Sequence, residues 1–154
     1  MTDTYFSGTA SGFDEGEFTI INGAASSHYQ STQVIAKTEP SYIIVIPAAV
    51  DFGTLQKDTG IKSRAFQVRA ENVVIEPGSR IDVDVSNIDP MDNGYGNELE
   101  YMLYTQAGSQ VPEGSNYASF DQDGMETGSV KVDTSLIPAA GNYSGTMDFS
   151  ISYR

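Results

Sequence analysis

From Met147 to Tyr153 the chain alternates without a break, with Met147, Phe149, Ile151 and Tyr153 on one side and Asp148, Ser150 and Ser152 on the other. Three more stretches share this two-residue period. Ile81, Val83 and Val85 oppose Asp82, Asp84 and Ser86; Phe66 and Val68 oppose Gln67 and Arg69; Val130 and Val132 oppose Lys131 and Asp133. Successive side chains of a strand point to opposite faces, so each stretch predicts a strand with one face buried and one wet. No window of eleven or more residues repeats apolar positions at three and four, so helices are not expected. Ile43, Ile44, Val45 and Ile46 are apolar at every position, which predicts a central strand covered on both sides. Further strands are expected over residues 17–21, 33–37, 99–105 and 145–153.

Turn-forming clusters separate these runs, at Asn22-Gly23, Pro77-Gly78, Asp89 to Asn97, Pro112 to Asn116, Asp121 to Gly124 and Pro138 to Asn142. Short alternating strands punctuated in this way predict an all-β fold, an antiparallel β-sandwich of immunoglobulin-like or jelly-roll-like kind, with a closed barrel as the rival. Residues 1–40 are rich in Gly, Ser and Thr and poor in large aliphatics. They are expected to form an extended N-terminal arm or a loosely packed hairpin, and residues 41–154 the sandwich domain.

At 154 residues the chain suits one domain with a real core. Its formal net charge of -13 opposes nucleic acid phosphates and anionic lipid, so neither is an expected partner. Basic residues gather between 57 and 80, where five stand against three acids. A basic strip with Lys62, Arg64 and Arg69 could meet the acidic face of an identical neighbour. No cysteine is present, which removes disulfides and thiolate chemistry. The longest apolar run, residues 42–50, is far too short to cross a membrane. The first residues lack the basic and apolar regions of a signal peptide. Placement on a virion or on a cell surface is expected, with a signal already removed or with export by another route.

Motifs for catalysis are missing. The single histidine, His28, lies in the Ser-rich arm, and no nucleophile elbow or phosphate-cradling glycine loop occurs, so an enzyme is not expected. Asp89, Asp92, Asn93, Asp121 and Asp123 are oxygen ligands of the type calcium takes, and they are the candidate metal site. The spacing breaks the EF-hand pattern, because aligning Gly94 as the sixth loop position puts Met91 at the third. No other cofactor is implied. Tyr95, Tyr101, Tyr104 and Tyr117 flank the acidic loops and form a candidate sugar-stacking platform.

Over residues 42–154 the chain resembles a loose group of β-sandwich domains of Gram-positive bacterial surface proteins and phage structural proteins. The likeness rests on Ile46-Pro47 closing a strand, Phe52-Gly53, a strand with basic outward residues, Pro77 to Val85, and Gly141-x-Tyr143-Ser144-Gly145-Thr146 before an alternating strand. The last strand also looks like that of pilin-like and WxL-type domains, although the chain has no Trp. The resemblance implies a non-catalytic structural or adhesive module and transfers no functional residue. The expected function is structural: self-association, or docking on a scaffold protein, through strands and the arm, with Met147, Phe149, Ile151 and Tyr153 as contact residues. Such a strand is stable in mid-sheet, or at an edge that a neighbour completes. The alternative is an adhesin module for a glycan or host surface, assisted by calcium.

Overall fold

The structure is a computed structural model that describes residues 3–7, 19–23 and 30–154. The chain divides into two compact units, Met1–Glu39 and Pro40–Arg154. In the first unit, β1 (Asp3–Ser7) pairs antiparallel with β2 (Thr19–Gly23), with Tyr5 opposite Ile21 and Phe6 opposite Ile20. The strand expected at 17–21 is described as Thr19–Gly23, and positions 17 and 18 lie outside the described residues. No strand forms over 33–37. Val34 and Ile35 are adjacent rather than alternating and both are exposed, and Pro40, which has no amide hydrogen, follows closely.

The second unit is the expected sandwich. Its strands are β3 (Ser41–Val45), β4 (Ile61–Val74), β5 (Ile81–Ile88), β6 (Met91–Asp92), β7 (Glu98–Leu99), β8 (Met102–Thr105), β9 (Gln110–Val111), β10 (Asn116–Phe120), β11 (Gly124–Asp133) and β12 (Met147–Tyr153). One sheet has the order β3-β4-β11-β8-β9 and the other the order β10-β5-β12, all antiparallel, with β6 and β7 as a separate ribbon. The inward residues of the larger sheet (Phe66, Val68, Ala70, Leu103, Val111, Val130) meet Val83, Val85, Tyr117, Ala118 and Phe120 of the smaller one in a single core. The predicted alternation is therefore the burial pattern of β4 and β11, whereas in β5 Asp82, expected on the wet face, is itself buried.

Bulges break the two-residue period where the core needs it. The β10–β5 register skips Tyr117, which turns its ring inward, and its hydroxyl donates to the Phe66 carbonyl at 3.1 Å. Opposite β12 the extra residue lies on β5, between Asn87 and Val85, so that Ile88 and Val85 both reach the core. Opposite β3 it lies on β4, where Asn72 adopts φ 52, a left-handed conformation that Asn tolerates better than branched residues.

Two expectations need correction. Ser41–Val45 is an edge strand, bonded only to β4, and Ile43 is 48% exposed. Aliphatic residues occupy both its faces, but only one is covered. The strand expected at 99–105 is interrupted at Glu100 and Tyr101. Leu99 pairs in the β6–β7 ribbon, Met102 onward joins β11, and Tyr101 turns toward residues 144–146.

Candidate functional site

Among the described residues, β12 is bonded on one side only, to β5. Its register sets Phe149, Ile151 and Tyr153 beside Val85, Val83 and Ile81, so all three point to the core side of the smaller sheet. Their neighbours on β5 are sealed, each 0% exposed, whereas Ile151 is 42% and Tyr153 37% exposed. The apolar face is covered under β5 and opens under β12.

Natural edge strands are usually blunted by short length, Pro, Lys or inward charges. Both edges of the larger sheet show such devices: β9 has two residues, and β3 lies between Pro40 and Pro47. By contrast β12 runs for seven residues with no Lys, no Pro and no charge among its core-facing residues. Its far end is held firmly. The backbones of Arg80 and Arg154 exchange hydrogen bonds of 2.7 and 2.8 Å, and Tyr153 stacks on Tyr42 at 6.4 Å.

Beside the first half of β12 lies a groove of about 400 Å³, between residues 46–52 and 143–149. Phe66 and Phe149 line its depth, and Ile46, Val50, Phe52 and Met147 its sides. Phe149 anchors this arrangement. Its ring lies 5.5 Å from that of Phe66 and 6.4 Å from that of Tyr117. The wall formed by residues 51–52 is held by Arg64, whose guanidinium donates to the Asp51 and Phe52 carbonyls at 3.2 Å each and lies 5.7 Å from the centre of the Phe52 ring. The opposite wall is held by Tyr101, whose hydroxyl donates to the Thr146 carbonyl at 2.8 Å. Burial, reinforced by the charges of Asp89 and Asp148, pushes the Tyr101 hydroxyl up to about 12. Gly145 fits only as glycine, since a Cβ there would lie 2.7 Å from the Asp89 carbonyl oxygen.

The basic residues do not form one strip. Lys62 and Arg64 share the strand face of Phe66, whereas Arg69 is on the opposite face, where it pairs with Glu71 at 3.4 Å. Met147, Phe149, Ile151 and Tyr153 do share one face, along the open edge. The calcium candidates are divided between turns. Asp92 accepts from the Gly94 amide, Asn93 from the Tyr95 and Asn97 amides, Asp89 from the Thr146 hydroxyl, and Asp123, in a separate turn with Asp121, from the Val73 amide. Among the described residues no three acidic or histidine side chains gather as a metal site. The four tyrosines are likewise dispersed. Tyr117 is buried in the core, Tyr101 borders the groove, Tyr104 lies under Lys131 with the ammonium 4.8 Å from its ring centre, and only Tyr95 projects, 88% exposed.

Ile46, Val50 and Phe52 were not legible as a site, because the segment after Pro47 has no strand period. Its one signal is the continuation of apolar residues past a strand-ending proline.

No protein-family model and no curated protein matches the chain. Among solved structures it is similar to a chain of a chaperone–tip adhesin complex of CFA/I fimbriae biogenesis, at 14% identity and a TM-score of 0.47, covering 88% of this chain. The match spans 50% of that chain's length.

Proposed function

We propose that this protein is a non-enzymatic structural module that assembles by strand addition at β12, either with copies of itself or on a scaffold protein, displayed on a bacterial surface or a virion. The observation that carries this reading is an unblunted seven-residue edge whose inward side chains Ile151 and Tyr153 stay exposed beside an apolar groove. An extended segment laid along β12 satisfies the edge amides and carbonyls. Its alternate side chains cover the exposed residues and fill the groove, so backbone pairing supplies affinity and pockets supply selectivity.

Ile151→Lys is the test. A charge on the core-facing side of an edge strand blocks pairing, while the long stem of lysine keeps its ammonium in water and the fold intact. Light scattering after size exclusion should show the wild-type chain as oligomers that Ile151→Lys shifts to monomer with an unchanged circular dichroism spectrum. A monomeric wild type that also takes up no extended peptide, or oligomers indifferent to Ile151→Lys, would overturn the reading.

A further inference from the structure

We infer that the segment laid along β12 is the β1–β2 sheet of a second copy of this chain, an inference that rests on the strand-addition reading above. The first reason is the state of that sheet. Among the described residues it has two strands of five residues each, and two-stranded sheets are marginal in water without a third strand or a covering layer. Four of its ten residues, Tyr5, Phe6, Ile20 and Ile21, are large and apolar. Among the described residues, an edge open to one more strand and a two-stranded sheet thus occur in one sequence.

Length agrees. A five-residue strand spans about 17 Å and β12 about 23 Å, so β1 or β2 fits along the edge without overhang. Residues 24–40 follow β2, and a chain of that length reaches at most about 61 Å when extended.

Charge agrees as well. Residues 1–36 contain four acids (Asp3, Asp14, Glu15, Glu17) and no Lys or Arg. Arg64 lies against the Phe52 wall of the groove, on the same face of β4 as Lys62 and Phe66, while Asp148 is among the residues that line the groove. Lys62 and Arg64 are a local positive pair on a unit that is otherwise acidic. The pair attracts an acidic incoming segment and a neighbour's Asp-rich loops alike, so the apolar residues choose the segment.

The absence of native cysteine makes the contact directly testable. Full-length Thr19→Cys and Ile21→Cys variants, each mixed with full-length Ser150→Cys of different mass under mild oxidant, should give a mixed disulfide dimer with one of the two. Single variants alone should give less. The double variants, Thr19→Cys with Ser150→Cys and Ile21→Cys with Ser150→Cys, should link chain to chain as well. Hydrogen exchange of the wild type should show β12 amides gaining protection as concentration rises, and Ile20→Asp with Ile21→Asp should remove that gain. A double variant that instead closes its disulfide within one chain would overturn the inference. It would also fall if no link formed in any of these mixtures and β12 protection survived Ile20→Asp with Ile21→Asp, while Ile151→Lys still dispersed the oligomers; strand addition would then stand with another occupant. Indifference to Ile151→Lys would remove both.

Discussion

The ring of Phe149 lies stacked on that of Phe66, centroids 5.5 Å apart and planes 15° from parallel, so the outermost strand of the smaller sheet is fixed to the second strand of the larger one. Tyr117 stands edge-on to Phe66 at 5.5 Å and to Phe149 at 6.4 Å, joining a third strand. Such pairs add about 0.5–1.5 kcal/mol each beyond the area they bury. Phe149→Ala should therefore cost about 3 kcal/mol, the lower end for a core Phe because one side of the ring borders the groove. The same variant should also weaken assembly more than its stability loss explains, since β12 loses the contact that fixes its position. Urea unfolding measures the first effect, and light scattering well below the unfolding midpoint the second.

Gly128 is set opposite Thr105 and Phe66 in the middle of the larger sheet. A methyl there would collide with the Tyr104 carbonyl oxygen and lie 2.7 Å from the Tyr117 hydroxyl. Gly128→Ala should displace Tyr117 and cost on the order of 2–3 kcal/mol, the upper part of the usual range for overpacking a filled site. Pairing it with Tyr117→Phe should recover part of the loss, because the hydroxyl is one of the two atoms struck. A double-mutant cycle by chemical denaturation checks this.

Much of this arrangement is written in the sequence, for a physical reason. A strand with one wet face must alternate, so β4, β5, β11 and β12 announce themselves through Phe66 and Val68, Val83 and Val85, Val130 and Val132, and Met147 and Phe149. The run Ile43 to Ile46 misleads because apolar residues on both faces show what the faces carry, not what covers them; hydrogen-bond neighbours come from pairing with β4, far along the chain. The bulges at Asn72 and Ser86 and the irregular wall at Val50 and Phe52 follow from fitting two sheets together, which local periodicity does not encode. The split of Lys62 and Arg64 from Arg69 was readable by parity alone: 62 and 64 share the parity of Phe66, and 69 does not.

Acid should loosen the end of β12. The Asp82 carboxylate accepts from the Ser119 hydroxyl at 2.7 Å and from Arg80 Nε at 3.0 Å, and Arg154 Nε lies 3.2 Å away. Hydrogen bonding from Ser119 first, then Arg80 and the charge of Arg154, holds the carboxyl below the usual carboxylate range against the opposing effect of burial. A lowered folded value means that the unfolded chain binds the proton more tightly. The stabilisation is complete above about pH 4, the ordinary aspartate value, and is lost as pH falls through the lowered folded one. Asp82→Asn should therefore be less stable than wild type at neutral pH, with the difference shrinking as pH drops below about 4. Thermal melts across that range measure it, and a constant difference would refute the assignment.

The opposite limb of the pH profile belongs to the two tyrosines that brace the core and the groove. Burial, with a contribution from Glu126, pushes the Tyr117 hydroxyl from 10.0 to about 12, as burial with Asp89 and Asp148 does for Tyr101. Here the folded state holds the proton more tightly than the unfolded chain. The stabilisation is complete below pH 10 and fades as pH rises toward 12. Deprotonation also removes the donor to the Phe66 carbonyl in one case and to the Thr146 carbonyl in the other. Tyr117→Phe and Tyr101→Phe should each cost about 1 kcal/mol at neutral pH, the net worth of one hydrogen bond. Each variant should then lose less stability than wild type between pH 10 and 12. Because Tyr101 holds the Thr146 wall and Tyr117 does not, only Tyr101→Phe should also weaken peptide uptake or assembly at neutral pH. Equal effects of the two variants on assembly would show that the groove wall takes no part in docking.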